Sequence, residues 1–172
     1  MIKYKHERGE SMPYSTGDTV VYAGSNVCKI AEIRPMKVGG SEKLYYVLKP
    51  IFEPQSTVYH PFDGGDEKLT TPIDAAAANE ILSAPVEIKW IEDDRLRHEE
   101  FTQILKNGSC AEVVSVVKLI FARKKKSKAE NKKLRAADER TLNDGIRIVS
   151  EQLAFALGIT KDKAVLLIDG EG

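Results

Sequence analysis

Residues 27–33 have the sequence Val27-Cys28-Lys29-Ile30-Ala31-Glu32-Ile33, in which apolar and polar side chains alternate. A period of two is typical of a β-strand with one buried face. Residues 17–22 (GDTVVY) begin with a Gly-Asp turn and continue with β-branched and aromatic residues, which predicts a preceding strand. Further strands are expected at residues 44–48 (LYYVL) and 56–60 (STVYH), with a two-glycine turn in residues 37–41. Four or five short strands with tight turns predict a small antiparallel barrel.

After Pro72 the apolar residues recur at helical spacing instead of alternating. Ser109 and Glu112 have the three-residue spacing of a capping box, which marks a helix start. Five helices are predicted in this half. The first is an Ala-rich helix over residues 74–82, and the second runs from a cap at Asp93 or Asp94 to Asn107. The third follows Ser109 and has an apolar face. The fourth has apolar residues from Leu142 to Leu157 and ends at Gly158, and the fifth is a short helix from Thr160 to Leu166.

The change of period predicts an α+β protein, with a small antiparallel β-barrel followed by an all-α helical bundle. The expected domains are an N-terminal extension over residues 1–15, a strand domain over 16–66 and a helical domain over 67–172. Gly64 and Gly65 lie among charged residues near the boundary, as in a linker.

The composition narrows the class of protein. Among 172 residues, 26 Lys and Arg balance 26 Asp and Glu, and 42% of residues are apolar, which is typical of a globular chain. No apolar stretch approaches the roughly 20 residues that cross a bilayer, and the charged N-terminus does not resemble a secretory signal. Only Cys28 and Cys110 are cysteines, which excludes a disulfide framework and a cysteine-only zinc site. We expect a cytoplasmic protein with no membrane partner, metal or cofactor.

Catalytic motifs are missing from the sequence. It contains no P-loop, no GxGxxG, no HExxH and no GxSxG. Cys28 and His60 both fall in the strand half, but Cys28 is better interpreted as a small buried apolar residue than as a nucleophile. We therefore expect a protein that is not an enzyme and has no small-molecule substrate.

The neutral total charge hides a basic segment. Between Lys118 and Arg135, nine basic residues accompany one acidic residue, Glu130, which gives +8 over 18 positions. A polyanion such as nucleic acid relieves the repulsion within such a run and releases counterions. The alternative is a solvated helix end, where cations favourably oppose the macrodipole. The nine residues are Lys118, Arg123, Lys124, Lys125, Lys126, Lys128, Lys132, Lys133 and Arg135.

Trp90 is the single tryptophan and precedes the second predicted helix. Most single tryptophans anchor a core. The functional alternative is an exposed apolar wedge of the kind that architectural proteins insert between base steps in a minor groove.

Six segments, in order along both halves, resemble one known family. They are residues 17–22 (GDTVVY), 45–49 (YYVLK), 90–94 (WIEDD), 105–109 (LKNGS), 132–134 (KKL) and 138–142 (DERTL). The first two resemble the RNA polymerase-interacting domain of CarD-type bacterial transcription regulators, also called CdnL, which also occurs in the transcription-repair coupling factor. The others resemble the helical domain of the same family.

The resemblance implies a regulator, monomeric and nucleoid-associated through polymerase. Its Tudor-like barrel would bind the lobe of the RNA polymerase β subunit, and its helical domain would contact promoter DNA at the upstream edge of the bubble and stabilise the open complex. Carried over by position, the polymerase-binding residues are Arg34, Met36 and Tyr59. The wedge position of relatives falls on Asp94, one helical turn after Trp90. We expect DNA contacts, without sequence readout, from Trp90, Arg95, Arg97, Lys124, Lys125, Lys126, Lys128, Lys132 and Lys133.

The alternative function is that of a protein-interaction adaptor, which binds polymerase or another protein without touching DNA. A sequence-specific DNA-binding protein is disfavoured, because no recognition helix with base-reading side chains is evident.

Overall fold

The computed structural model describes residues 14–62 and 68–171, which divide into two compact units. The first, here the sheet unit, extends to Thr71 without the turn Ala23–Asn26; the second, the helical unit, comprises that turn and the chain from Pro72. Most of the predicted N-terminal extension and the predicted boundary after residue 66 lie outside the described residues.

The sheet unit is a five-stranded antiparallel sheet with the order β4-β3-β2-β1-β5. Its strands are β1 (Thr19–Tyr22), β2 (Asn26–Val38), β3 (Ser41–Pro50), β4 (Val58–Pro61) and β5 (Leu69–Thr70). With the five helices that follow, this confirms the predicted α+β class. Closure of the sheet into a Tudor-like barrel stays a prediction.

One face of the sheet forms a core of fully buried apolar side chains. Cys28 lies in this cluster with no exposed surface, as expected for a small apolar residue. His60 is also buried, stacked 6.5 Å from the ring of Tyr46 and edge-on to Tyr22. The cluster comprises Val20, Cys28, Ile30, Tyr46, Leu48 and Leu69.

A β-bulge in β2 decides which of its side chains face outward. The pairing with β3 shifts register between Ile30 and Glu32, so the simple alternation predicted for this strand breaks there. After the bulge Ile33 packs against the core, and the alternate positions 32, 34 and 36 lie on the opposite, outer face.

The helical unit contains the five predicted helices. They are α1 (Ala75–Ser83), α2 (Asp94–Asn107), α3 (Cys110–Ala129), α4 (Ala136–Leu157) and α5 (Lys161–Asp169). The expected capping box is present: the Ser109 hydroxyl accepts from the Glu112 amide, and the Glu112 carboxylate accepts from the Ser109 amide at 2.7 Å. Among the described residues, none of the helices combines the length and apolar character of a membrane span.

Two glycines of this unit allow close packing. Gly108 ends α2 as predicted, but its φ of −76° is not left-handed. Glycine is needed there because a Cβ would lie 2.5 Å from the Ile104 carbonyl oxygen. At Gly145 of α4, a Cβ would lie 2.6 Å from Cγ2 of Val117, so this glycine sets how closely α3 and α4 approach.

Candidate functional site

The three residues predicted to bind polymerase lie on one face of the sheet unit. In the register, Arg34 of β2 is opposite Tyr45 of β3, and Val47 of β3 is opposite Tyr59 of β4. Directly paired residues share a face, so Arg34, Met36 and Tyr59 lie on the side away from the core. This outer sheet face consists of Glu32, Arg34, Met36, Tyr45, Val47 and Tyr59.

Most of the outer sheet face is accessible, although Val47, opposite Tyr59, is only 4% exposed. The Arg34 guanidinium lies 3.2 Å from the Glu32 carboxylate and 5.8 Å from the centroid of the Tyr59 ring. Tyr59 is 45% exposed, which is inconsistent with core packing. An aromatic ring and a guanidinium held beside it are the residue types that most often supply binding energy in protein interfaces.

In the helical unit, Trp90 is half-buried and held by two cations. The Arg97 guanidinium carbon lies 4.4 Å from the indole centroid and that of Arg123 lies 4.8 Å away. The Phe101 ring meets it edge-on at 6.2 Å. Trp90 therefore contacts the apolar core at Phe101 and one cation of the basic segment, Arg123, while its role as a wedge stays a prediction.

Arg97 has a different environment from the one predicted. Its side chain is only 4% exposed, and its Nε and Nη2 donate to the Asp138 carboxylate at 2.9 and 3.0 Å. It also donates to Asp94 and to the Ile91 carbonyl, both at 2.7 Å. With its donors committed inside the unit, Arg97 cannot reach a phosphate in this conformation. Its position instead fixes Trp90 against α2 and α4.

A cleft of about 190 Å³ opens beside Trp90. It is bordered by α3, by the turn from α3 to α4 and by the start of α2, and both signs of charge line it. Its lining residues are Trp90, Glu92, Asp94, Arg97, Arg123, Ser127, Lys132, Lys133, Leu134, Arg135 and Asp138.

The turn after α3 carries Lys132 and Lys133 into this lining. Asn131 has a left-handed φ of 55°, and its amide donates to the Lys128 carbonyl while the Lys132 amide donates to the Ser127 carbonyl. These bonds form a Schellman motif, in which Asn is the common substitute for Gly. The motif gives the two lysines a defined position.

Two lysines of the basic segment have structural roles. The Lys118 ammonium donates to the carbonyls of Leu82 at 2.6 Å and Ala84 at 3.0 Å, which satisfies the C-terminal end of α1. Lys125 does the same at α5, where it donates to the Asp169 carbonyl and pairs with its carboxylate, both at 2.8 Å. The hydrogen bond that Lys125 donates to Asp169 is the main cause that raises the pKa of Lys125.

Most of the remaining cations are paired with carboxylates. Lys124 lies 4.0 Å from Glu139 of α4, and Lys132 lies 3.0 Å from Glu130. The hydrogen bond from Lys132 lowers the pKa of Glu130, and the charges of Lys126 and Arg123 lower it further.

Three exposed lysines differ from the others. Lys126, Lys128 and Lys133 form no ion pair with any residue within 14–62 and 68–171. Arg95, also predicted to contact DNA, is highly exposed on α2 and pairs with Glu99 at 3.0 Å. We call Lys126, Lys128 and Lys133 the open lysines, because they are the exposed cations of the basic segment that form no ion pair within the described residues.

Sequence reasoning missed two arginines of this site, Arg123 beside Trp90 and Arg135 beside Asp94. Both were counted in the basic run, but only the fold shows that they border the cleft. It also missed the acidic partners of the basic run. Glu92 and Asp94 precede or begin α2, and Glu139 lies in α4, so none of these carboxylates belongs to the run itself.

The described residues include no cluster of metal ligands, and the Cys110 thiol is not activated. Within them, no group of three or more His, Cys, Asp or Glu side chains is arranged to hold a metal ion. Burial raises the pKa of the Cys110 thiol to about 11, so this thiol is protonated at neutral pH.

A comparison with models of protein families finds a match for the sheet unit. Residues 14–73 match the family model of the CarD-like/TRCF RID domain, where RID denotes the RNA polymerase-interacting domain. A search of curated proteins found no match to the chain.

Proposed function

We propose that this protein regulates transcription by binding the polymerase β-subunit lobe and stabilising the promoter open complex, because residues 14–73 match the CarD-like/TRCF RNA polymerase-interacting domain. The observation that carries the proposal is the family match, together with the exposed outer sheet face within the matched residues. A non-catalytic role agrees with it.

In this proposal the outer sheet face binds the lobe. Arg34 is exposed and lies beside Tyr59, and Met36 extends the same face toward the turn at Gly39 and Gly40. The ring and the thioether supply apolar area, and the guanidinium supplies directional hydrogen bonds to a carboxylate or carbonyl of the lobe.

The helical unit contacts the DNA at the upstream edge of the bubble. The open lysines contact phosphates. Lys132 and Arg95 also contact phosphates when their exposed ion pairs with Glu130 and Glu99 break. Trp90 lies at the cleft, which faces the duplex. Lysine contacts to phosphate carry no sequence information, so the protein depends on polymerase for its location. Contacts made only with melted promoter shift the equilibrium toward the open state, typically by about 1–3 kcal/mol.

The adaptor function is the second candidate, and one observation favours it. Six of the nine basic residues in the run are paired with carboxylates or cap a helix, so the surface is far less positive than the count of +8 predicts. An adaptor would use the outer sheet face in the same way and would leave promoter DNA untouched.

The proposed contact with polymerase is tested by measuring binding of the full chain to a purified β-lobe fragment. We expect Arg34→Glu to weaken binding at least tenfold, because the reversal removes the donor and places two carboxylates beside each other on the outer sheet face. Calorimetry or interferometry measures this directly.

Lys37→Glu is the matched control for that experiment. Lys37 is exposed on the same strand, but it is three residues after Arg34. Because side chains of a strand point to opposite faces in turn, this odd spacing places Lys37 off the outer sheet face. It makes the same charge change and should retain near wild-type affinity. Equal losses for the two variants, or no binding by the wild type to a folded lobe, would contradict the proposed interface.

A further inference from the structure

The basic surface of the helical unit is occupied by the protein's own carboxylates. Arg123 lies 3.6 Å from Glu92, Arg135 pairs with Asp94, and Lys124 lies 4.0 Å from Glu139. Glu92 lies two residues before α2, Asp94 is the first residue of that helix, and Glu139 is in the first turn of α4. Acidic residues from two other segments thus reach the cations of α3 and its following turn.

These pairs have the chemistry of phosphate contacts. A carboxylate and a phosphate offer the same planar pair of acceptor oxygens to a guanidinium and the same negative charge to an ammonium. The pairs are also partly solvent-exposed: 79% of the Glu92 side chain, 32% of the Arg123 side chain and half of the Lys124 and Glu139 side chains are accessible. Exposed ion pairs are weak, so a phosphate can replace the carboxylate without disrupting a core.

We propose that Glu92 and Glu139 act as internal competitors of DNA phosphate, which hold Arg123 and Lys124 until polymerase delivers the chain to a promoter. This inference rests on the proposed function, since it assigns a regulatory role to the same DNA-facing surface. The free chain then has low affinity for DNA in general, and the high local concentration of DNA on polymerase drives the exchange of partners.

The competition is tested with the full chain and a short duplex DNA of mixed sequence, without polymerase. The variant is the double substitution Glu92→Gln and Glu139→Gln, and fluorescence anisotropy measures affinity over a range of salt concentrations. We expect the double variant to bind at least about threefold more tightly than the wild type. Its log–log salt dependence should be steeper by about two, since each released cation neutralises one more phosphate.

A matched control separates competition from total charge. Glu80→Gln with Glu100→Gln removes the same two charges from exposed positions of α1 and α2 that form no ion pair with any residue within 14–62 and 68–171. This control should shift affinity less and leave the salt slope unchanged. Equal tightening and equal slopes for the two double variants would overturn the inference, because they would show a general charge effect.

Failure of the inference is distinguishable from failure of the proposed function. If none of the proteins binds free DNA in low salt, internal competition by Glu92 and Glu139 is wrong, because relieving it should reveal affinity. The proposed function is then decided by lobe binding and by promoter assays with polymerase, which do not depend on the affinity of the free chain for DNA.

Discussion

Asp138→Asn is expected to lower the free energy of unfolding by about 3–5 kcal/mol, the usual effect of removing one partner of a buried ion pair. The Asp138 carboxylate accepts two hydrogen bonds from Arg97, and the two side chains are 8% and 4% exposed. An amide in this place leaves the buried guanidinium with the half-exposed Asp94 as its one remaining carboxylate partner among the described residues. Urea unfolding measures the loss, and Trp90 fluorescence should change too, because Arg97 lies against the indole.

Two further variants make that prediction specific. Asp144→Asn removes an exposed carboxylate of the same helix, 3.7 Å from Arg147, and should cost less than about 1 kcal/mol. The double variant Arg97→Met with Asp138→Leu removes both charges and should recover much of the loss, since apolar replacements of a buried pair are often tolerated. A loss below about 1 kcal/mol for Asp138→Asn would show that the pair is solvated and that Arg97 does not anchor Trp90.

Replacing the open lysines together (Lys126→Glu, Lys128→Glu and Lys133→Glu) is expected to abolish most of the effect on promoter opening. Each lysine that neutralises a phosphate contributes about one unit to the log–log salt dependence, so the variant should lose affinity for the promoter complex by at least about tenfold. The lifetime of open complexes after addition of a competitor, at two salt concentrations, measures the change.

The control carries the same charge change on the same unit. Lys89, Lys106 and Lys163 are exposed and form no ion pair within residues 14–62 and 68–171, and they lie outside the basic run. Their triple replacement by Glu should leave most of the wild-type effect. If the open-lysine variant keeps the wild-type lifetime while the wild type is active, the adaptor function is the better account.

The local features of the fold could be predicted from the sequence. Ser109 and Glu112 predicted the start of α3 because a capping box depends on residues three positions apart, and Gly158 predicted the end of α4, where it has a left-handed φ of 64°. The bulge in β2 could not be predicted, because Ala31 and Glu32 are compatible with either register. That bulge decides that Glu32, Arg34 and Met36 share the outer sheet face.

The candidate site was predicted less completely, for reasons of sequence distance. Arg97 looked like an exposed cation because its partner, Asp138, is 41 residues away. The basic run looked strongly positive because the carboxylates that pair with it come mostly from other helices. A count of charges along the chain cannot include partners that only packing brings together.

The most direct test of the account is a photocrosslink from the helical unit to promoter DNA. A photoreactive residue at Lys133 of the full chain, irradiated with labelled promoter and polymerase, should label DNA at the upstream edge of the bubble. The label should disappear without polymerase and with Arg34→Glu, because the proposed function requires the outer sheet face to bind polymerase. Crosslinks to polymerase polypeptides alone, with no labelled DNA while the chain is bound, would contradict the account and identify an adaptor.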